Sequence, residues 1–227
     1  MAYKMHERTA EKTGCAGVRR FVREASDNLG LPHLMKHFAL VFRLLVLGYL
    51  AYLLMFLATG YEPVLPGFRP PFAIWLVDTI NLYIHEAGHF FLRPFGQYIH
   101  VLGGSLMQVL IPAVFLVVTW RQSPWQIGYA GFWVGENMVN VSVYIQDAPF
   151  RKLHLIGKGL IHDWWWLLGG EESVSAPLSE AVFVLGIAVC GMAIAGGVFY
   201  AIKAYREADA PPAPSPLWSR QFPGRAI

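Results

Sequence analysis

Phe72-Ala73-Ile74-Trp75-Leu76-Val77-Asp78-Thr79-Ile80-Asn81-Leu82-Tyr83-Ile84-His85-Glu86-Ala87-Gly88-His89-Phe90-Phe91 is an apolar run interrupted at chosen places by groups that ionise or hydrogen-bond. Coiled as an α-helix, the run is long enough to cross about 30 Å of hydrocarbon. At 100° per residue, Asp78, Asn81, His85 and His89 fall within one narrow arc, while Phe, Trp, Leu and Ile take the rest of the surface. Ionisable groups are costly at membrane depth, so such a stripe faces the interior of a helix bundle and marks a site.

Working outward, further runs of spanning length cover Phe38 to Ala58, Val101 to Trp120, Trp125 to Ile145 and Leu178 to Tyr200. The chain has 227 residues, 55% hydrophobic and 15% charged, against about a quarter charged in a soluble domain. The expected fold is therefore all-α: a polytopic transmembrane helix bundle of about five spans, occupying residues 37–206. Ahead of it, residues 1–36 form a basic cytoplasmic segment in which Val18, Phe21, Val22, Ala25 and Leu29 recur at helical spacing opposite Arg19, Arg20 and Arg23. That pattern describes an interfacial amphipathic helix. Residues 207–227, rich in proline and alanine, read as an extended tail.

Seven Lys/Arg precede the first span and place the N-terminus in the cytoplasm by the positive-inside rule, with a bacterial inner membrane as the expected location. The net charge is only +3, and no nucleic-acid motif is visible, so the basic residues are assigned to topology and to the lipid bilayer. The two cysteines, Cys15 and Cys190, supply neither a disulfide framework nor a thiolate cluster; a metal in this chain takes nitrogen and oxygen ligands.

His85-Glu86-Ala87-Gly88-His89 has the H-E-x-x-H spacing, in which two imidazoles four residues apart share one face and can offer themselves to one cation. A catalytic zinc normally holds three protein ligands and one open position, leaving Glu86 to act as general base toward water. The third ligand is ranked Asp163, then Asp147, then His162. A carboxylate not used as ligand can orient a ligand imidazole. Polar residues on neighbouring spans form matching stripes: Ser105, Gln108, Pro112 and Thr119 on the third, and Glu136, Asn137, Asn140, Tyr144 and Asp147 on the fourth. Of these, His162, Asn140, Tyr144, Asn81 and Gln108 are candidates for supporting contacts or an alternative ligand. Ser105 and Thr119 are read as helix-to-helix hydrogen bonders, and His100 and His154 as interfacial residues. The alternating topology brings His85, His89, Asp147, His162 and Asp163 to one end of the bundle.

A His-Glu-Ala-Gly-His within a membrane helix, followed by further spans and a late aspartate, resembles the intramembrane zinc metalloproteases of the site-2 protease type, and small bacterial membrane proteins that share this motif set. The resemblance covers roughly Asp78 to Leu168, with Asn140 to Asp147 and His162-Asp163-Trp164 in the places of the family's Asn-Pro and Leu-Asp-Gly motifs. It implies Zn2+ on His85, His89 and Asp163 or Asp147, Glu86 as base, and cleavage of peptide bonds in a membrane-protein substrate. A rival expectation is a non-catalytic subunit of a larger membrane complex, photosynthetic or respiratory, with a retained metal site. Gly186, Cys190, Gly191, Ala193, Ala195 and Gly197 make a small-residue face on the last span that admits a partner helix. A di-iron oxygenase would need further histidine clusters, and two histidines on one turn cannot ligate opposite faces of one haem.

Overall fold

The computed structural model describes residues 30–153, 157 and 161–208. The interfacial helix expected near the N-terminus, the extended tail after residue 208 and His154 lie outside the described residues. Among those described, the chain is all-helical, without strands. The helices are α1 (Leu31–Thr59), α2 (Phe72–Leu92), α3 (Gln97–Gln122), α4 (Ile127–Gln146), α5 (Asp163–Leu168) and α6 (Glu172–Glu207), with 3-10 turns at Arg93–Phe95 and Pro124–Gln126.

Punctuation in the sequence sets these boundaries. Pro71, extended at φ −50° and ψ 146°, stands just ahead of α2. The Arg93-Pro94-Phe95-Gly96 reversal ends α2 and starts α3, with Gly96 at φ 96°, a backbone conformation that an L side chain resists. Gly169 in the left-handed region stops α5 after six residues.

Contacts divide the described chain into two units, one within residues 42–201 and the other of residues 30–41 with 202–208. In the second, the Tyr205 hydroxyl lies 3.1 Å from His37 Nδ1 and the Lys36 ammonium sits over the Tyr205 ring. In the first, Leu47, Leu50, Leu53 and Leu57 form one face of α1, which meets Ile74, Phe132, Val139 and Cys190 in the apolar core. The most extensive packing runs between α2 and α3, the two arms of the Pro94 reversal.

Burial is inverted relative to a soluble domain. Asn81, Gln108, Glu136, Asn137 and Asp147 are buried, whereas Phe72, Tyr83, Phe90, Val184, Met192 and Phe199 are exposed. Apolar surface on that scale calls for lipid. Three helices, His33–Thr59 within α1, α3 and α6, are long and apolar enough to cross a membrane. The expected second and fourth spans are α2 and α4, of 21 and 20 residues, which carry the polar stripes and do not join that set.

Gly186, Cys190, Ala193 and Gly197 of the small-residue face of α6 are covered from within the chain, whereas Ala195 is exposed. A Cβ on Gly135 of α4 would stand 2.5 Å from Cys190 Sγ and 2.6 Å from the Gly186 carbonyl oxygen, and one on Gly131 would stand 2.8 Å from Ala193 Cβ. Gly128 meets Gly197 in the same way, while Gly191 has open space around it. Gly128, Gly131 and Gly135 thus let α4 press against α6, backbone to backbone. Gly135→Val forces these helices apart, and thermal unfolding in detergent is expected to show a loss of about 1–3 kcal/mol.

Candidate metal centre

His85 and His89 lie one turn apart near the end of α2, where α3 passes unusually close. The fourth residue of the His-Glu-Ala-Gly-His motif accounts for that approach: a Cβ on Gly88 would collide with the Gly103 carbonyl oxygen, and one on Gly104 would stand 2.5 Å from His85 Nε2. Gly104 therefore leaves the space that the His85 ring fills. Asp163 comes from the opposite side, as the first residue of α5, behind an N-cap in which His162 Nδ1 accepts from the Trp165 N–H.

Asp163 Oδ2 is 2.9 Å from His85 Nε2 and 3.1 Å from His89 Nε2. One ligand atom from each of the three residues lies within 4.8 Å of the others. His85, His89 and Asp163 thus form a group that can hold a metal ion. Burial disfavours the ionised Asp163 carboxyl, but hydrogen bonding to His85 and His89 outweighs it and holds the pKa down, at about 2.

The second nitrogen of each ring shows that the donors fit a cation. His89 Nδ1 is 2.8 Å from the His100 backbone carbonyl, which can only accept, so Nδ1 carries the proton. His100 Nδ1 in turn donates to the His89 carbonyl at 2.8 Å. His85 Nδ1 faces Gln108 Oε1 at 3.1 Å. In neutral rings with these Nδ1–H tautomers, both Nε2 lone pairs point at the Asp163 carboxylate. A cation bound there would take the place of the hydrogen bonds that otherwise join Nε2 of each ring to Asp163, so the same three atoms can serve as its ligands. Gly104→Ala pushes a methyl group into the His85 ring and is expected to lower metal affinity by about 10-fold or more, as read by competition with a chelating dye.

Glu86, half-buried, lines a cavity of about 670 Å³ together with His85, His89 and Asp163. Its carboxylate makes no hydrogen bond to the described residues. The Tyr144 hydroxyl steadies Asp163, accepting from its backbone N–H at 3.2 Å and lying 3.4 Å from Oδ2.

The other candidates are placed differently. Asp147 accepts the backbone N–H groups of Lys152 and Leu153, each at 2.9 Å, and lies 3.4 Å from His162 Nε2. His162 packs at a tilt against the Tyr144 ring, and burial lowers its pKa despite the Asp147 charge. Asn81 donates to Glu136 and accepts from the Trp133 indole. Ser105 accepts from the Trp164 indole at 3.0 Å, and the Thr119 hydroxyl turns back onto the Phe115 carbonyl of its own helix. Gln108 donates to Asn140 at 2.7 Å, and Asn140 donates to Asp78 and Tyr61 at 3.0 and 2.8 Å.

Sequence reasoning read His100 as an interfacial residue and did not single out Gly104 or Tyr61. His100 acts through a backbone carbonyl, for which no residue type is a signal; its distance from His89 across the Pro94 turn was the available clue. Compared with protein-family models, curated proteins and solved structures, the chain shows no significant match.

Proposed function

We propose that this chain is a membrane-embedded zinc hydrolase that cleaves peptide bonds of membrane-protein substrates at or within the bilayer. The observation that carries the reading is the convergence of His85, His89 and Asp163 with Glu86 on one cavity. His85 Nε2, His89 Nε2 and a carboxylate oxygen of Asp163 are the ligands, a two-nitrogen, one-oxygen set that suits a catalytic zinc with one open position. When bound, the ion activates water and polarises a substrate carbonyl. Glu86 accepts the proton of the attacking water and returns it to the leaving amine, while Tyr144 and His100 keep Asp163 and His89 in place. The cavity volume lies within the range of about 300–1,000 Å³ usual for ligand sites, and Leu82, Val101 and Val143 supply apolar walls for a substrate segment.

The same reading takes α2 and α4 as spans alongside α1, α3 and α6. At 1.5 Å per residue they reach about 31 and 30 Å, and their polar groups are shielded by neighbouring helices rather than offered to lipid. Positive charge ahead of α1 orients the N-terminus toward the cytoplasm of a bacterial inner membrane. Because Gly186, Cys190, Ala193 and Gly197 are already packed on α4, the membrane partner is assigned to the cavity as substrate rather than to the α6 face as subunit.

The test is zinc content and cleavage of a model transmembrane substrate by the purified chain in liposomes. Chelation should abolish cleavage and added Zn2+ should restore it. A wild type isolated metal-free without chelator, or cleavage indifferent to chelation, would overturn the assignment.

A further inference from the structure

His85 Nδ1 faces the Gln108 amide, and Gln108 in turn faces the Asn140 amide. Gln108 and Asn140 carry amides, which present either an oxygen or an NH2 group with nearly the same shape. Which end of Gln108 faces His85 decides whether His85 Nδ1 must donate or accept. If an NH2 faced it, Nδ1 would be the acceptor, the proton would move to Nε2, and Nε2 could no longer ligate.

The chain of hydrogen bonds resolves that choice from its far end. Asp78 and Glu136 are hydrogen-bonded side chains in the buried interior, facing Tyr61 and Asn140, with Asn81 also bound to Glu136 and Cys190 beyond it. Asp78 is the acceptor at that end of the chain, its Oδ1 receiving the Asn140 NH2 group. Tyr61 donates to both Asp78 oxygens at 3.1 Å. Asn140 must then turn its NH2 to Asp78, its oxygen faces Gln108, Gln108 turns its own NH2 to Asn140, and Gln108 Oε1 is left for His85 Nδ1.

We propose that Asp78, acting through Asn140 and Gln108, is the positioning residue that fixes the His85 tautomer for metal binding. The inference rests on the metal reading of His85, His89 and Asp163, and it assigns a role to a half-buried carboxyl on the cavity wall that the hydrolytic chemistry does not use.

The experiment is a mutant cycle on Zn2+ affinity, measured on the full chain in detergent by competition with a chelating dye. Asn140→Leu and Asp78→Leu free the Gln108 amide to rotate and should each weaken binding by about 10- to 100-fold, the range for partners that orient a metal ligand. Gln108→Glu presents an acceptor oxygen to His85 whichever way it turns, so in that background Asn140→Leu should cost little more. Unchanged affinity in Asn140→Leu would overturn the relay. An equal loss in both backgrounds would overturn it too, because it would mark a packing defect. A wild type that binds no Zn2+ would refute the metal reading itself, which is a different result from a wild type that binds while the cycle shows no coupling.

Discussion

Glu86→Gln is expected to leave the chain loaded with metal while slowing cleavage of a transmembrane substrate by about 10²- to 10⁴-fold, the range for loss of a general base. The two halves of that outcome have separate physical origins. Metal retention follows because the ligand atoms belong to His85, His89 and Asp163, and because no hydrogen bond ties the Glu86 carboxylate to the described residues. The replacement is nearly isosteric, so the cavity keeps its shape. The rate loss follows because an amide cannot accept the proton that water must give up. Metal stoichiometry, thermal unfolding and single-turnover cleavage on the same preparation separate the two. A variant that cleaves as fast as wild type would remove Glu86 from the reaction, and one that loses its metal would move Glu86 into the ligand set.

Helix periodicity made much of this arrangement readable in advance. The stripe of Asp78, Asn81, His85 and His89 follows from 100° per residue and needs no tertiary information, and the turn residues around Pro94 and Pro124 delimit α2, α3 and α4. Counting spans was harder, since hydropathy alone separates α1, α3 and α6 from α2 and α4, whose polar groups are the ones the interior needs. The small-residue face of α6 was also visible. What covers it was not: Gly128, Gly131 and Gly135 have the matching spacing, but nothing in one sequence says which helix they meet.

The site shows the same division between side-chain pattern and contact. Two imidazoles four residues apart announce themselves. Asp163 sits on a six-residue helix that no periodicity could predict, and its rank ahead of Asp147 rested on a local polar pair. The groups that orient the histidines were legible only where a side chain does the work. Gln108 lay on a recognised stripe, whereas the His100 carbonyl and the room that Gly104 leaves for the His85 ring are properties of backbone geometry.

Asp163→Ala should abolish the thermal stabilisation that metal confers, and Asp147→Ala should preserve it. A ligand at 1,000 times its Kd adds about 4.1 kcal/mol to the folded state, so the shift in the wild type is large enough to read. Among the described residues, Asp163 is the single carboxylate whose oxygen lies within 3.1 Å of both His85 Nε2 and His89 Nε2, and a methyl group in its place withdraws that oxygen from the two nitrogens. Affinity should fall beyond the roughly 100-fold ceiling for outer partners. Asp147 has both oxygens engaged by the Lys152 and Leu153 N–H groups, so its loss falls on the chain that leaves α4. Unpairing those partly buried donors weakens the chain reversal after α4, and Asp147→Ala should therefore unfold earlier with or without metal. The metal-dependent increment, measured as the difference between loaded and chelated protein, cancels that cost. It is the increment that discriminates: if it vanishes in Asp147→Ala and survives in Asp163→Ala, the third ligand is Asp147, and α5 must swing away from the histidines when the ion binds.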